Sequence, residues 1–208
     1  VAQPDVQPRD RAIVVDTSHS QSQATFAAQR ATVAALLARL GPGQRFVVLA
    51  CNAACESYPQ GGLSEASGAR VAAAWRWLGR RELGGASDIA DALVTAARHL
   101  DARRAGQIVY LGDGVPTAGA LSAETIAARS AAPLTDIDVR LVGVGVSLDE
   151  VVLRGLAHAV GATYQPLGDG TAARLRQLAL QLDKPVIAAA ELELPVGFKD
   201  IHPQRLPN

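Results

Sequence analysis

Arg11-Ala12-Ile13-Val14-Val15-Asp16-Thr17-Ser18-His19-Ser20 is the stretch on which the fold turns. Residues 11–16 are a short β-branched run that closes on an acidic residue. That is the pattern of a strand buried on both faces, which delivers Asp16 to its carboxyl end. The chain then turns helical. From Gln21 to Leu40 the period sets Phe26, Val33, Leu36, Leu37 and Leu40 on one face, and Gly41-Pro42-Gly43 stops it. A second strand is predicted over 45–50.

The alternation continues along the chain. An edge strand is expected around 56–59, close enough to the preceding strand to pair back on it, and a helix over 64–78. Gly84-Gly85 breaks the pattern before a helix over 88–102 and a buried strand over 107–111 that ends near Asp113. A helix over 122–131, a strand over 138–144, a helix over 148–160, a short strand around Tyr164 and a last helix over 171–182 complete the order. Strands that alternate with helices of this length build βαβ units. The fold class expected is α/β: a three-layer α/β/α, Rossmann-like, doubly wound, mostly parallel sheet with one short antiparallel edge strand. In such sheets ligands sit beyond the carboxyl ends of the strands where the strand order reverses, and Asp16 and Asp113 both belong there.

The core domain is expected over 10–183, with 1–9 as a connecting segment. From Lys184 the composition changes, with Pro185, Pro195, Pro203 and Pro207 and the alternating Glu191-Leu192-Glu193-Leu194. Residues 184–208 therefore read as an extended segment leading to a neighbouring domain.

Composition excludes several classes of function. Hydrophobic residues make up 49% of the 208 but aromatics only 4%, so the core is built from aliphatics on alanine-rich helices. Twenty Lys and Arg balance twenty Asp and Glu, and no basic stripe stands out, which gives nucleic acid or an acidic membrane surface no electrostatic hold. The densest basic run, Arg76 to Arg81 with Trp75 and Trp77, reads as a solvated helix end. No apolar run reaches the roughly 20 residues of a membrane span, and Val1-Ala2-Gln3-Pro4 lacks the features of a signal peptide. Cys51 and Cys55, the two cysteines, are compatible with a local disulfide and equally with two small apolar residues flanking a turn.

The chemistry lies in three loops. In Asp16-Thr17-Ser18-His19-Ser20 the odd spacing aims a carboxylate and two hydroxyls at one point above the strand end. A hard cation such as Mg²⁺ seeks about six oxygens at about 2.1 Å and keeps some waters, so this is a partial cage; the same string also serves to cap a helix. Further on stand Gly85-Ala86-Ser87-Asp88-Ile89-Ala90-Asp91-Ala92-Leu93 and Leu111-Gly112-Asp113-Gly114-Val115-Pro116-Thr117. Together, in order and separation, the three segments resemble the metal-ion-dependent adhesion site of von Willebrand factor type A domains.

The resemblance covers roughly residues 10–183 and implies a metal set of Asp16, Ser18, Ser20, Ser87 and Asp113 holding one Mg²⁺ or Mn²⁺. It implies direct ligation by Ser18 and Ser20, with Asp16, Ser87 and Asp113 ligating directly or through water. One position is left for a guest carboxylate, so the implied partner is a protein with an exposed Asp or Glu. Ser87 stands where the family usually has threonine, Gly112 where threonine is common, and His19 and Gln21 where glycine and methionine are frequent. His99, His158 and His202 show no metal-ligand spacing. The tail, Glu191 to Pro195 and Ile201 to Pro207, is similar to the segment that follows the type A domain in proteins resembling inter-alpha-trypsin inhibitor heavy chains, where a VIT domain precedes it. This implies neighbouring domains of the same chain as further partners and points to an extracytoplasmic or secreted setting.

Three alternatives compete. A haloacid-dehalogenase-like, Mg²⁺-dependent phosphotransferase also carries a strand-end aspartate, but it needs a second carboxylate two residues on as acid and base, and Ser18 occupies that place. Nucleotide binding lacks both a Gly-x-Gly-x-x-Gly turn and a Gly-Lys-Ser/Thr loop. The other alternative keeps the fold as a metal-free scaffold. No residue is assigned a catalytic role.

Overall fold

In the computed structural model, which describes residues 9–168 and 172–182, the β-branched run becomes strand β1 (Arg9–Asp16). Its side chains alternate between two cores. Ala12 and Val14 face one side, Ile13 and Val15 the other, and all four are fully buried. This is the central strand of the sheet. On one edge it pairs in parallel with β2 (Arg45–Cys51), on the other with β5 (Ala105–Gly112), while β3 (Cys55–Tyr58) and the two-residue β4 (Ser64–Glu65) pair antiparallel with β2. Strands β6 (Ile137–Gly143) and β7 (Thr163–Pro166) extend the parallel side, giving the order β3-β2-β1-β5-β6-β7 with β4 on β2.

Helices cover both faces. Helices α1 (Gln23–Leu37), α2 (Gly68–Leu78) and α6 (Ala172–Leu182) pack Phe26, Leu36, Leu78 and Leu178 against Ile13, Phe46, Val109 and Val142. On the other face α3 (Ile89–His99), α4 (Ala123–Ser130) and α5 (Glu150–Val160) pack Leu93, Ile126 and Leu156 against Val14, Leu49, Ile108 and Leu141. Burying each large aliphatic contributes about 1.5–3 kcal/mol, and these two layers enclose the sheet between them.

The helix expected to begin at residue 64 begins four residues later. Ser64 and Glu65 instead pair with Phe46 and Arg45, and Ser67 caps α2 by accepting from the Arg70 N–H. Pairing satisfies the backbone of two residues that a frayed helix end would leave to water. The expected exposed strand at 191–194 lies outside the described residues.

The two ends of β1 differ in one respect that matters below. Asp10, at the start, is fully buried and held by two guanidiniums, with Arg45 Nη2 at 2.5 Å and Arg104 Nε at 3.0 Å. Asp16, at the far end, is 2% exposed. None of the ion pairs among the described residues reaches it.

Candidate functional site

The chain order reverses between β1 and β5, and the loops leaving these two strands carry Asp16 and Asp113. The first loop folds on itself. The Ser18 N–H donates to Asp16 Oδ1 at 2.8 Å, and the Ser18 and Ser20 hydroxyls lie 3.0 Å apart. Gln21 follows, its amide donating to Asp16 Oδ2 at 3.4 Å and to the Ser20 hydroxyl at 3.2 Å. Gln29, fully buried on α1, donates in turn to Gln21 Oε1 and to the Leu111 carbonyl, both at 3.2 Å. A chain of amides thus anchors the loop to α1 and to the end of β5.

The second loop, 84–88, docks on the first through its backbone. The Gly84 N–H donates to the Thr17 carbonyl, and the His19 N–H to the Gly85 carbonyl, each at 2.9 Å. Gly85 has φ +79°, which a side chain would strain. Asn52 pins the loop from the side: its side-chain amide donates to the Gly84 carbonyl and its backbone carbonyl accepts from the Asp88 N–H. Asn52 sits in the tight link between β2 and β3, and Cys51 and Cys55, on either side of it, form a disulfide. Ser87 is buried, and Asp88 caps α3 by accepting from the Asp91 N–H.

The third loop follows β5. Asp113 Oδ1 accepts from the Val115 N–H at 3.0 Å, and its carbonyl accepts from the Asp149 N–H at 2.8 Å, where α5 begins. Gly114 has φ +78°, and a Cβ there would lie 2.4 Å from Leu153. Thr117 ties this loop to the second. Its hydroxyl accepts from the Ser87 N–H at 2.8 Å, and its own N–H donates to the Ser87 carbonyl at 3.0 Å.

The fold therefore gathers all five predicted residues at one end of the sheet. Asp16, Ser18 and Ser20 are linked directly, Asp113 is near enough to Asp16 for their charges to interact, and Ser87 is held to the third loop by Thr117. Asp16, Ser18, Ser87 and Asp113 are buried, while Ser20 and His19 are exposed. Burial pushes the Asp16 carboxyl up to about 6, and the charge of Asp113 adds to it against the hydrogen bonds from Ser18 and Tyr110.

Sequence reasoning left Tyr110, Gln29, Thr117 and Asn52 out of the site. Tyr110 is fully buried, and its hydroxyl donates to Asp16 Oδ2 at 3.3 Å. The signal for it was Gly112. A Cβ at 112 would lie 2.3 Å from the Tyr110 hydroxyl oxygen, so the glycine and the tyrosine share one space.

No three His, Cys, Asp or Glu side chains gather as a metal cluster would among the described residues. The oxygens on offer are two buried carboxylates and three hydroxyls, without nitrogen or sulfur, which suits Mg²⁺ or Mn²⁺ rather than a softer ion. Two carboxylates sharing a buried place without a basic partner carry negative charge that a cation would neutralise. His99 lies beside Gly62 and His158 on α5, and His202 lies outside the described residues.

No curated protein matches the chain. Among solved structures the fold is similar to a von Willebrand factor type A structure from Catenulispora acidiphila, with TM-score 0.74 and 22% identity over 85% of this chain and 42% of that one. It is also similar to an aerotolerance-related membrane protein from Bacteroides fragilis, with TM-score 0.66, 16% identity, and 84% and 98% covered. A third similar structure is the pilus adhesin SpaC from Lactobacillus rhamnosus GG, with TM-score 0.69, 14% identity, and 87% and 30% covered. The chain spans about two fifths of the Catenulispora structure's length. The narrower likeness to inter-alpha-trypsin inhibitor heavy chains gains no support from these matches, and the tail that suggested it lies outside the described residues. The model of the von Willebrand factor type A domain matches residues 10–166, three quarters of the sequence, and the chain belongs to that family.

Proposed function

We propose that this domain is a metal-ion-dependent protein-binding module, in which Asp16, Ser18, Ser20, Ser87 and Asp113 hold one Mg²⁺ or Mn²⁺ and an Asp or Glu of a partner protein completes the coordination. The observation that carries the reading is the contrast along β1. Asp10 is buried and neutralised by two arginines, whereas Asp16 is buried near Asp113 and its hydrogen-bond partners among the described residues are neutral: Ser18, Gln21 and Tyr110. A buried carboxylate pair without a counter-ion costs stability unless a cation supplies the missing charge.

When bound, the cation supplies residual positive charge at an open position, which attracts a carboxylate. Everything else is the work of the chain's residues. Ser18 and Ser20 present neutral oxygens, so no anion beyond the two carboxylates offsets the ion and its open coordination position stays available to an acidic guest. Asp16 and Asp113 hold the charge balance from below, and Thr117 fixes the backbone of Ser87. His19, exposed between the two serines, stands where a partner would contact the rim. No residue is assigned to catalysis.

The binding unit is taken as 10–183, flanked by connecting segments, so domains adjoining it in the full-length protein are further proposed partners. The Cys51–Cys55 bridge supports an oxidising, extracytoplasmic setting. Anomalous diffraction from a crystal of the domain soaked in Mn²⁺ tests the proposal. The expected result is a single peak enclosed by the five named residues, and a peak elsewhere or no peak would overturn it.

A further inference from the structure

Tyr110 does more than fill the core. Its ring points from β5 towards the end of β1, where the hydroxyl donates to Asp16 Oδ2 at 3.3 Å and lies against the backbone of Gly112, the residue directly before Asp113. One oxygen therefore touches the first loop and the point where β5 passes into the third. Within the first loop Asp16 is held by the Ser18 N–H on Oδ1 at 2.8 Å and by the Gln21 amide on Oδ2 at 3.4 Å, and Tyr110 is the group that reaches Oδ2 from the neighbouring strand.

Gly112 belongs to the same device. Its φ is not in the left-handed region, so the backbone there would accept any residue, yet a Cβ would lie 2.3 Å from the Tyr110 oxygen, 2.6 Å from its Cζ and 2.9 Å from Asp16 Cβ. The glycine is needed for room and not for conformation. Its presence two residues after a fully buried tyrosine makes sense if the hydroxyl has to reach that spot.

We propose that the Tyr110 hydroxyl clamps the first and third loops together, as a positioning residue that fixes Asp16 relative to Asp113 for cation binding. The inference rests on the cation-site reading above and adds a residue that makes no contact with the ion. Groups that orient a metal's ligands are commonly worth about tenfold or more in affinity, because the ligands must otherwise be ordered at the moment of binding.

The test is Tyr110→Phe, which keeps the ring over Gly112 and removes one oxygen. Calorimetric titration with Mg²⁺ of the chelator-treated domain, unmodified and variant, reads the affinity, and a melting curve in chelator reads the packing. The clamp predicts an affinity about tenfold weaker with the melting temperature nearly kept. A tyrosine that serves only to pack would leave the affinity within about twofold of the unmodified domain, and that result would overturn the clamp while leaving the cation site standing. An unmodified domain that takes up no Mg²⁺ would overturn the cation site and the clamp with it. Should the variant not fold, the Tyr110 hydroxyl proton of the unmodified domain decides by NMR: a resonance shifted downfield supports the hydrogen bond to Asp16, and an unshifted one refutes it.

Discussion

Replacing Asp16 by asparagine should make the metal-free domain more stable while destroying its affinity for a cation. Burial raises the carboxyl from its ordinary 3.8 to about 6. Between these two values the folded state binds a proton that the unfolded chain has already lost, so stability falls as pH rises through this window and stays low above it. Each pH unit in the window corresponds to about 1.4 kcal/mol, so the ionised Asp16 costs the metal-free fold about 3 kcal/mol at pH 7.5.

Asparagine removes that charge and keeps most of the hydrogen bonds. Its Oδ1 still accepts from the Ser18 N–H, and its amide can donate to the Tyr110 hydroxyl; only the Gln21 amide, at 3.4 Å, then faces a donor. Allowing about 1 kcal/mol for that mismatch leaves a net gain of about 2 kcal/mol. For a domain of this size the gain corresponds to a rise of about 4–8 °C in Tm. The assay is urea and thermal unfolding in chelator at pH 7.5 and at pH 4. The variant should exceed the unmodified domain at pH 7.5 and lose its advantage at pH 4, where the native carboxyl is itself protonated. Added Mg²⁺ should stabilise only the unmodified domain. A variant that is the less stable of the two by the same amount at both pH values would refute the reasoning, because Asp16 would then be a structural anchor and not a charge awaiting a partner.

Three further expectations follow from the same geometry. Gly114→Ala brings a Cβ to 2.4 Å from Leu153 at a φ of +78°, and urea denaturation should show a loss of about 2–4 kcal/mol. Thr117→Val deprives the buried Ser87 N–H of its acceptor, so it should cost about 1–3 kcal/mol in the same assay and also weaken Mg²⁺ binding, read by calorimetry. Cys55→Ser opens the short loop that holds Asn52 and should cost about 2 kcal/mol, and a reducing agent should lower the stability of the unmodified domain to the same level without affecting the variant.

The sheet was legible wherever burial on both faces forced a continuous aliphatic run, as at Ile13-Val14-Val15 and Ile108-Val109. Helix starts were legible where a cap stood alone, as with Asp88 and Ser122. At residue 64 the sequence offered two serines, Ser64 and Ser67, and only the pairing of Ser64 with Phe46 in space selects the second as the cap. The five oxygen-bearing residues could be read because each follows a strand or opens a helix, in a fixed local string. Their supports could not. Tyr110 reaches Asp16 across 94 positions and Gln29 reaches Leu111 across 82, so no local pattern connects them. Gly112 was visible as a departure from threonine, but its reason, the tyrosine oxygen in the space a Cβ would take, exists only once β1 and β5 lie side by side.

The most direct measurement is isothermal titration of the chelator-treated domain with Mg²⁺ and with Mn²⁺, beside the Asp113→Ala variant. One site in the unmodified domain, absent from a variant that remains folded, is the predicted result. No binding of either ion by the unmodified domain, or equal binding by both proteins, would contradict it.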